Sequence, residues 1–276
     1  MEKGVYGGTT YFLIPNYEGW DMLKTCISGI EKNVGCFEPQ ILILYESGAV
    51  GLKSGGFTGA CNKLLRMALS DSTLDGVYIV GNDTEVITPE FHHQVLAYAN
   101  EHPDVGAIMF AERIPGDTVS RIPGGYSSYP LTDLDTVLPR EIVYPMLAFA
   151  WIRGKALRDV GILDGQFSPG YYDDFDWGVR AWLKGWKSMW VPQLQFNHLR
   201  GVTMGKLYPT SGARGAERFY VKYPYLTFGQ HENDVIRILK EKAKESQGDP
   251  KIVIAPNVEE LVKRRENGEL KYYWEK

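Results

Sequence analysis

The chain has 276 residues, of which 44% are hydrophobic, 23% charged and 13% aromatic, and its formal net charge is −4. Those values fit an ordinary globular protein with one large domain and an appendage, or with two small domains, and they exclude a global electrostatic pull toward nucleic acid or an anionic membrane. The three cysteines, Cys26, Cys36 and Cys61, have no metal-ligand spacing and cannot all pair with one another. With no apolar signal core at the start and no apolar run long enough to span a bilayer, a cytoplasmic protein without a membrane span is expected.

Thr9–Ile14 reads as a buried strand ending at Pro15-Asn16-Tyr17. Helical periodicity follows through Trp20, Leu23, Cys26, Ile27 and Ile30 and stops near Asn33 and Gly35. Gln40–Tyr45 is too short for a helix and reads as a second strand, followed by Glu46-Ser47-Gly48 and a glycine-rich stretch from Gly51 to Gly59. Phe57–Leu69 is helical in pattern, and Gly76–Val80 is a third strand closed by Gly81-Asn-Asp-Thr-Glu85. Thr88-Pro89-Glu90 carries N-cap and first-turn signals for a helix reaching about Asn100. Val105–Phe110 is a fourth strand. This alternation predicts an α/β fold with a mainly parallel sheet flanked by helices. Ligands then belong beyond the carboxyl ends of the strands, at Pro15–Tyr17, Tyr45–Ser47 and Asn82–Glu85.

Glu112 to Arg140 is rich in Pro, Gly, Ser and Tyr, as expected of a long functional loop. Val143–Ile152 is apolar again. A Gly/Pro loop from Gly165 then delivers Asp173, Asp174 and Asp176 to an amphipathic helix whose apolar positions are Phe175, Val179, Trp182, Leu183 and Trp186. An Asp at such a place is most simply an N-cap. A cluster of three acids beside two tyrosines also suits a general base on a rigid element, because like charges repel unless something requires them. Trp190–His198 reads as a further strand. Beyond Gly205 the composition changes: Val235–Lys244 is a Lys/Glu-rich amphipathic helix, Ser246–Pro250 a linker, and the tail ends in Tyr272-Tyr273-Trp274. The expected organisation is a domain over 1–205 and a lid or helical extension over 206–276.

Several of these stretches form an ordered set over roughly residues 9 to 225. They are Ile14-Pro-Asn-Tyr17, Gly55-Gly-Phe-Thr-Gly-Ala-Cys-Asn-Lys63, Asn82-Asp-Thr-Glu-Val86, Val160–Asp164 with Tyr172-Asp-Asp-Phe-Asp176 and Gly185-Trp186, and Val191-Pro192 with Asn197-His198. Together they resemble the inverting glycosyltransferases of family 2, with the GT-A (Rossmann-like) fold. The resemblance implies transfer of a sugar from a nucleotide-diphosphate donor, a UDP-sugar foremost, to an acceptor hydroxyl. It implies Asp174 as general base with Asp173 beside it. Asp83 would hold Mn²⁺ or Mg²⁺, with His198 completing the metal sphere and Glu85 as helper. Pro15, Asn16, Tyr17 and Glu46 would surround the base and ribose. Gly56, Asn62, Lys63 and Asn82 would lie near the phosphates or sugar, and Arg214 and Arg218 would close on the diphosphate. This chain departs from the family in having Tyr45-Glu46 where an aspartate is usual, and Asp173 at the first position of the acidic pair.

Two other readings compete. A nucleotidyltransferase would carry a glycine-rich loop with a basic residue directly after the first strand, and Pro15-Asn-Tyr17 is not that. A non-catalytic nucleotide- or carbohydrate-binding module would use exposed members of the seven tryptophans and seventeen tyrosines, although aromatics mostly fill cores. The expected acceptor is a saccharide, with Trp151, Tyr171 and Tyr172 as a stacking platform; a modified nucleic acid is the other acceptor. The C-terminal helix is expected to pack on the core or on a second subunit of a homo-oligomer.

Overall fold

The computed structural model describes residues 8–46, 55–122, 128–200 and 211–247. The first half of the chain forms β1 (Thr9–Tyr17), α1 (Trp20–Asn33), β2 (Gln40–Glu46), α2 (Gly56–Leu69), β3 (Leu74–Val80), β4 (Thr84–Val86), α3 (Phe91–Glu101) and β5 (Val105–Arg113). A small hairpin, β6 (Val119–Arg121) and β7 (Ser128–Pro130), is followed by β8 (Arg140–Ile142), β9 (Phe149–Arg153) and α4 (Gly154–Val160). A 3₁₀ turn (Gly165–Phe167) leads into α5 (Asp173–Leu183), β10 (Lys187–His198), α6 (Ser211–Lys222) and α7 (Glu232–Ser246).

Eight strands share one sheet in the order β2-β1-β3-β9-β5-β10-β4, with β8 also paired to β10. β1, β2, β3, β5 and β10 run one way, and β4, β8 and β9 the other. The sheet is therefore mixed but mostly parallel. β9 is the exception the pattern did not reveal: it lies antiparallel between β3 and β5, so these two never pair directly.

The chain leaves β1 for β2 on one side and returns through α2 to β3 on the other. That reversal puts the topological switch point between β1 and β3. Their pairing ends at Leu13–Ile79, whereas β1–β2 pairing continues to Tyr17–Glu46. The first strand thus runs through Pro15 rather than ending there. Past Leu13 no β3 partner takes up the backbone, so a residue without an N–H is tolerated.

Apolar residues of alternating parity feed two cores. On one face Leu23, Cys26 and Ile30 of α1 and Phe91 and Val95 of α3 pack on Phe12, Tyr78, Phe110 and Phe149. On the other, Leu64 and Leu65 of α2, Leu157 of α4 and Trp177 of α5 pack on Leu13, Val77, Ile79 and Ile152. Each such side chain contributes about 1.5–3 kcal/mol by leaving water. Trp151 belongs to this interior: its indole crosses the neighbouring strand where Gly76 leaves room, and a Cβ at Gly76 would overlap it. It is no part of a stacking platform.

Thr88 also differs from expectation. Its hydroxyl does not cap α3; it accepts from the Gln195 N–H at 2.7 Å and donates to the Gln193 carbonyl at 3.2 Å, tying the helix approach to β10. The expected loop over Glu112–Arg140 holds the end of β5, the β6–β7 hairpin and the start of β8.

α6 and α7 pack on α5, with Phe219, Tyr223, Val235, Ile236 and Leu239 against Val179, Trp182 and Leu183. Glu232, the first residue of α7, pairs with Arg140 at 3.0 Å. The C-terminal helix therefore docks on the core and uses its apolar face within the chain. The expected boundary at residue 205, the glycine-rich stretch up to 54 and the tail from 248 lie outside the described residues. Among the described residues no helix is long and apolar enough to cross a membrane.

Candidate active site

At the switch point, where β1 and β3 separate, Asn82 bridges the gap by donating to Asn16 Oδ1 at 2.6 Å. Asn16 is 2% exposed, and its own Nδ2 has no hydrogen-bond partner among the described residues. A buried amide donor without an acceptor is costly, so the cleft presents one hydrogen-bond donor in want of a ligand. Tyr17 stands beside Glu46 in the β1–β2 register, and Lys63 reaches from α2 to Glu46 at 2.8 Å. Beyond these, Trp20 and Tyr45 stack at 4.8 Å between centroids while remaining 57% and 42% exposed. That pair was not anticipated. Its signal was an aromatic at the first position of a helix opposite an aromatic at the end of a strand.

The turn after β3 holds Asp83 against the end of β10. His198 Nε2 lies 3.4 Å from Asp83 Oδ1, and Thr84 closes the turn by donating to the Gly81 carbonyl at 2.7 Å. On its other side His198 Nδ1 contacts the carboxylate of Glu112, the penultimate residue of β5. Glu112 is 1% exposed, and Arg200 grips it through Nε and Nη2. Burial opposes a charge on the imidazole, but hydrogen bonds and field from Asp83 and Glu112 win, and its pKa rises to about 9. Burial likewise opposes the Glu112 charge, yet His198 and Arg200 hold its pKa below the ordinary value.

Glu85 does not join Asp83 and His198. It sits on β4, accepts from Asn197 Nδ2 at 3.1 Å and lies against Gly29 of α1. Two donors, one carboxylate and one imidazole, remain. Their separation is near the roughly 3 Å edge of an octahedron around a small divalent ion, and oxygen with imidazole suits Mn²⁺ or Mg²⁺. Among the described residues no cluster of three or more acids, histidines or cysteines forms a cage. Two protein donors suit a divalent cation only if its remaining ligands come from elsewhere.

The three acids of α5 have three different environments. None is the N-cap, which is Tyr172 in the left-handed conformation. Asp176 is fully buried and receives Arg180 at 2.8 Å, Lys222 at 2.5 Å and the Tyr223 hydroxyl at 2.7 Å. Burial raises its pKa, the surrounding cations outweigh that, and it stays ionised. Asp173 is 3% exposed and accepts from Thr58 of α2 at 2.7 Å. Asp174 is half-buried and accepts from the Phe175 N–H at 2.8 Å. Burial first, and the neighbouring Asp173 second, push its pKa up to about 8.

The glycine-rich helix start positions this group. Gly56 has φ +59°, and a Cβ there would lie 2.5 Å from the Pro169 carbonyl oxygen. Only glycine lets α2 dock so closely on the loop leading to α5. Asn62 faces inward and uses both ends of its amide on the Leu163 backbone, at 2.9 and 3.0 Å. It braces the loop instead of facing a phosphate. Arg218 donates to the Gln166 carbonyl in the 3₁₀ turn, and Arg214 is exposed on α6, next to Gly215, which abuts Tyr171 and Tyr172. Tyr172 is packed on Phe175 and Phe219, leaving Tyr171, 43% exposed, as the open ring of the expected platform.

One backbone segment links the two acidic centres. The Leu147 backbone lies close enough to Asp174 to favour its charged form, and the next residue, Ala148, accepts from the Gly81 N–H at 2.7 Å. Gly81 opens the turn that carries Asp83. The Leu147–Ala148 segment thus touches both the Asp174 carboxylate and the turn that carries Asp83.

No family model matches the sequence, and no match is found among the curated proteins. By structure, the mannosyltransferase PcManGT from Pyrobaculum calidifontis, in complex with GDP-Man and Mn²⁺, is similar with a TM-score of 0.55 at 12% identity, over 96% of this chain and 81% of that one. GalNAc-T7 with UDP, GalNAc and Mn²⁺ is similar with a TM-score of 0.54 at 13% identity, over 87% of this chain and 54% of that one. S. aureus TarS is similar with a TM-score of 0.51 at 13% identity, over 87% of this chain and 44% of that one. The chain thus spans about half the length of the latter two. What these likenesses establish is the architecture: a GT-A-type, Rossmann-like sheet flanked by helices.

Proposed function

We propose that the protein transfers a sugar from a nucleoside-diphosphate sugar to an acceptor hydroxyl, with inversion at the anomeric carbon. The observation that carries this reading is the pairing of half-buried Asp174 with the Asp83–His198 pair across the Leu147–Ala148 segment. Asp174 takes the proton of the acceptor hydroxyl as its oxygen attacks the anomeric carbon from the face opposite the diphosphate. The carbon–oxygen bond to the diphosphate breaks, and its electron pair leaves with the phosphate oxygen. Asp83 and His198 would hold a divalent cation, which would supply charge neutralisation for that leaving group. Two of the structural neighbours hold Mn²⁺, one with UDP and one with GDP-Man, which supports a donor of this class.

The donor would lie over the switch point. Asn16 Nδ2 offers the unmatched donor, and the exposed Trp20–Tyr45 pair offers a face for the base. Glu46, held by Lys63, stands at the end of β2 to read base or ribose. Of the two carboxylates leading α5, Asp174 is the better base, because Asp173 is almost wholly buried and engaged by Thr58. A saccharide acceptor would approach Tyr171, and Arg214 on α6 is the cation best exposed to meet the diphosphate.

Asp174→Asn is expected to lower transfer by about 10²–10⁴-fold, the usual weight of a general base, with donor binding retained. Transfer at the wild-type rate by this variant would overturn the assignment.

A further inference from the structure

We infer that Glu112, clamped by Arg200, is a positioning residue that aims His198 Nε2 at Asp83. The inference rests on the reading that Asp83 and His198 share a divalent cation with the donor diphosphate.

A histidine ring at the end of a strand has two torsions to fix and two edges to choose between. Here the choice is made from outside the pair. Glu112 stands opposite Phe196 in the β5–β10 register, so His198, two residues on, lies on the same face of the sheet. The Glu112 carboxylate meets Nδ1, which leaves Nε2 toward Asp83. Glu112 cannot swing away: it is 1% exposed and both of its oxygens are held by Arg200. With a cation in place of the Nε2 proton, Nδ1–H donated to the carboxylate would leave the Nε2 lone pair to the metal, the usual arrangement behind metal-bound histidines.

The test is Mn²⁺ binding, read by electron paramagnetic resonance with UDP and in parallel with GDP, together with the ¹⁴N modulation that a coordinated imidazole imposes on the Mn²⁺ signal. Wild-type protein with nucleotide is expected to bind Mn²⁺ and to show the modulation, and His198→Ala to lose it. Glu112→Ala is expected to bind Mn²⁺ about 10–100-fold more weakly and to lose most of the modulation. Glu112→Gln, which keeps an acceptor at the same place, is expected to recover part of both. Arg200→Ala, at a half-exposed position, is expected to shift both in the same direction by a smaller factor.

Wild-type affinity and modulation in all three Glu112 and Arg200 variants would overturn the positioning role. Loss of affinity with undiminished modulation in the bound fraction would also overturn it, since the ring would then be aimed correctly without Glu112. A wild-type protein that binds Mn²⁺ without ¹⁴N modulation defeats instead the reading of His198 as a ligand. Wild-type protein that binds no Mn²⁺ with either nucleotide defeats the cation site, and the inference falls with it.

Discussion

Asp174 couples chemistry to stability through one proton. Its pKa stands raised to about 8, first by burial and then by Asp173, whereas in the unfolded chain it returns to the ordinary carboxylate value. The folded state therefore binds this proton more tightly. The resulting stability is complete below the unfolded pKa and is lost as pH rises through the folded one. Transfer needs the opposite form, so its rate should climb with pH through the same region in which the fold weakens. A pH–rate profile already flat near pH 5 would contradict this. Asp174→Asn should raise the melting temperature at about pH 8 by a few degrees, each kcal/mol being about 2–4 °C at this size, and the gain should vanish near pH 4. Asp176 has the opposite sign: it is ionised among Arg180, Lys222 and Tyr223, and its stabilisation is present at neutral pH and lost on acidification. Asp176→Ala takes the carboxylate from Arg180 and leaves Lys222 with Asp164 alone, and should cost about 3 kcal/mol, seen as a lowered urea midpoint. Trp20→Ala, at an exposed ring, should leave the midpoint almost unchanged and weaken nucleotide binding.

At the scale of elements, the start of α2 and the loop before α5 behave as one unit. Gly56 sits against Pro169, the Thr58 N–H reaches the Pro169 carbonyl at 3.3 Å, Ser168 donates to the Gly55 carbonyl at 2.7 Å, and Asn62 braces Leu163. Gly56→Ala should separate them, lowering transfer more than tenfold with a loss of about 1–3 kcal/mol in stability; equal activity and midpoint would refute the coupling. The strands and helices of this unit were legible because apolar periodicity reports burial. The antiparallel β9 was not, since a short apolar run carries no direction. Asp83 and Asp174 could be read as candidates from their places at a strand end and a helix start. Glu112 could not: its partners His198 and Arg200 lie 86 and 88 residues away, and its neighbours Pro115 and Gly116 suggest a loop. Glu85, Asn62 and Trp151 misled for the converse reason, because composition does not say which way a side chain points.

Across the whole molecule, the sheet brings five chain segments to one end: the ends of β1 and β2, the turn after β3, the end of β10 and the start of α5. The α6–α7 layer secures the last of these, since Lys222 and Tyr223 hold Asp176 two residues past the proposed base. The most direct measurement follows a UDP-sugar and a GDP-sugar by proton NMR with Mg²⁺, with water as the default acceptor, and reads the anomer of the sugar first released. Inversion is the expected result, cation-dependent and abolished in Asp174→Asn. A retained anomer, or release that continues unchanged in that variant, would contradict a single displacement with Asp174 as its base.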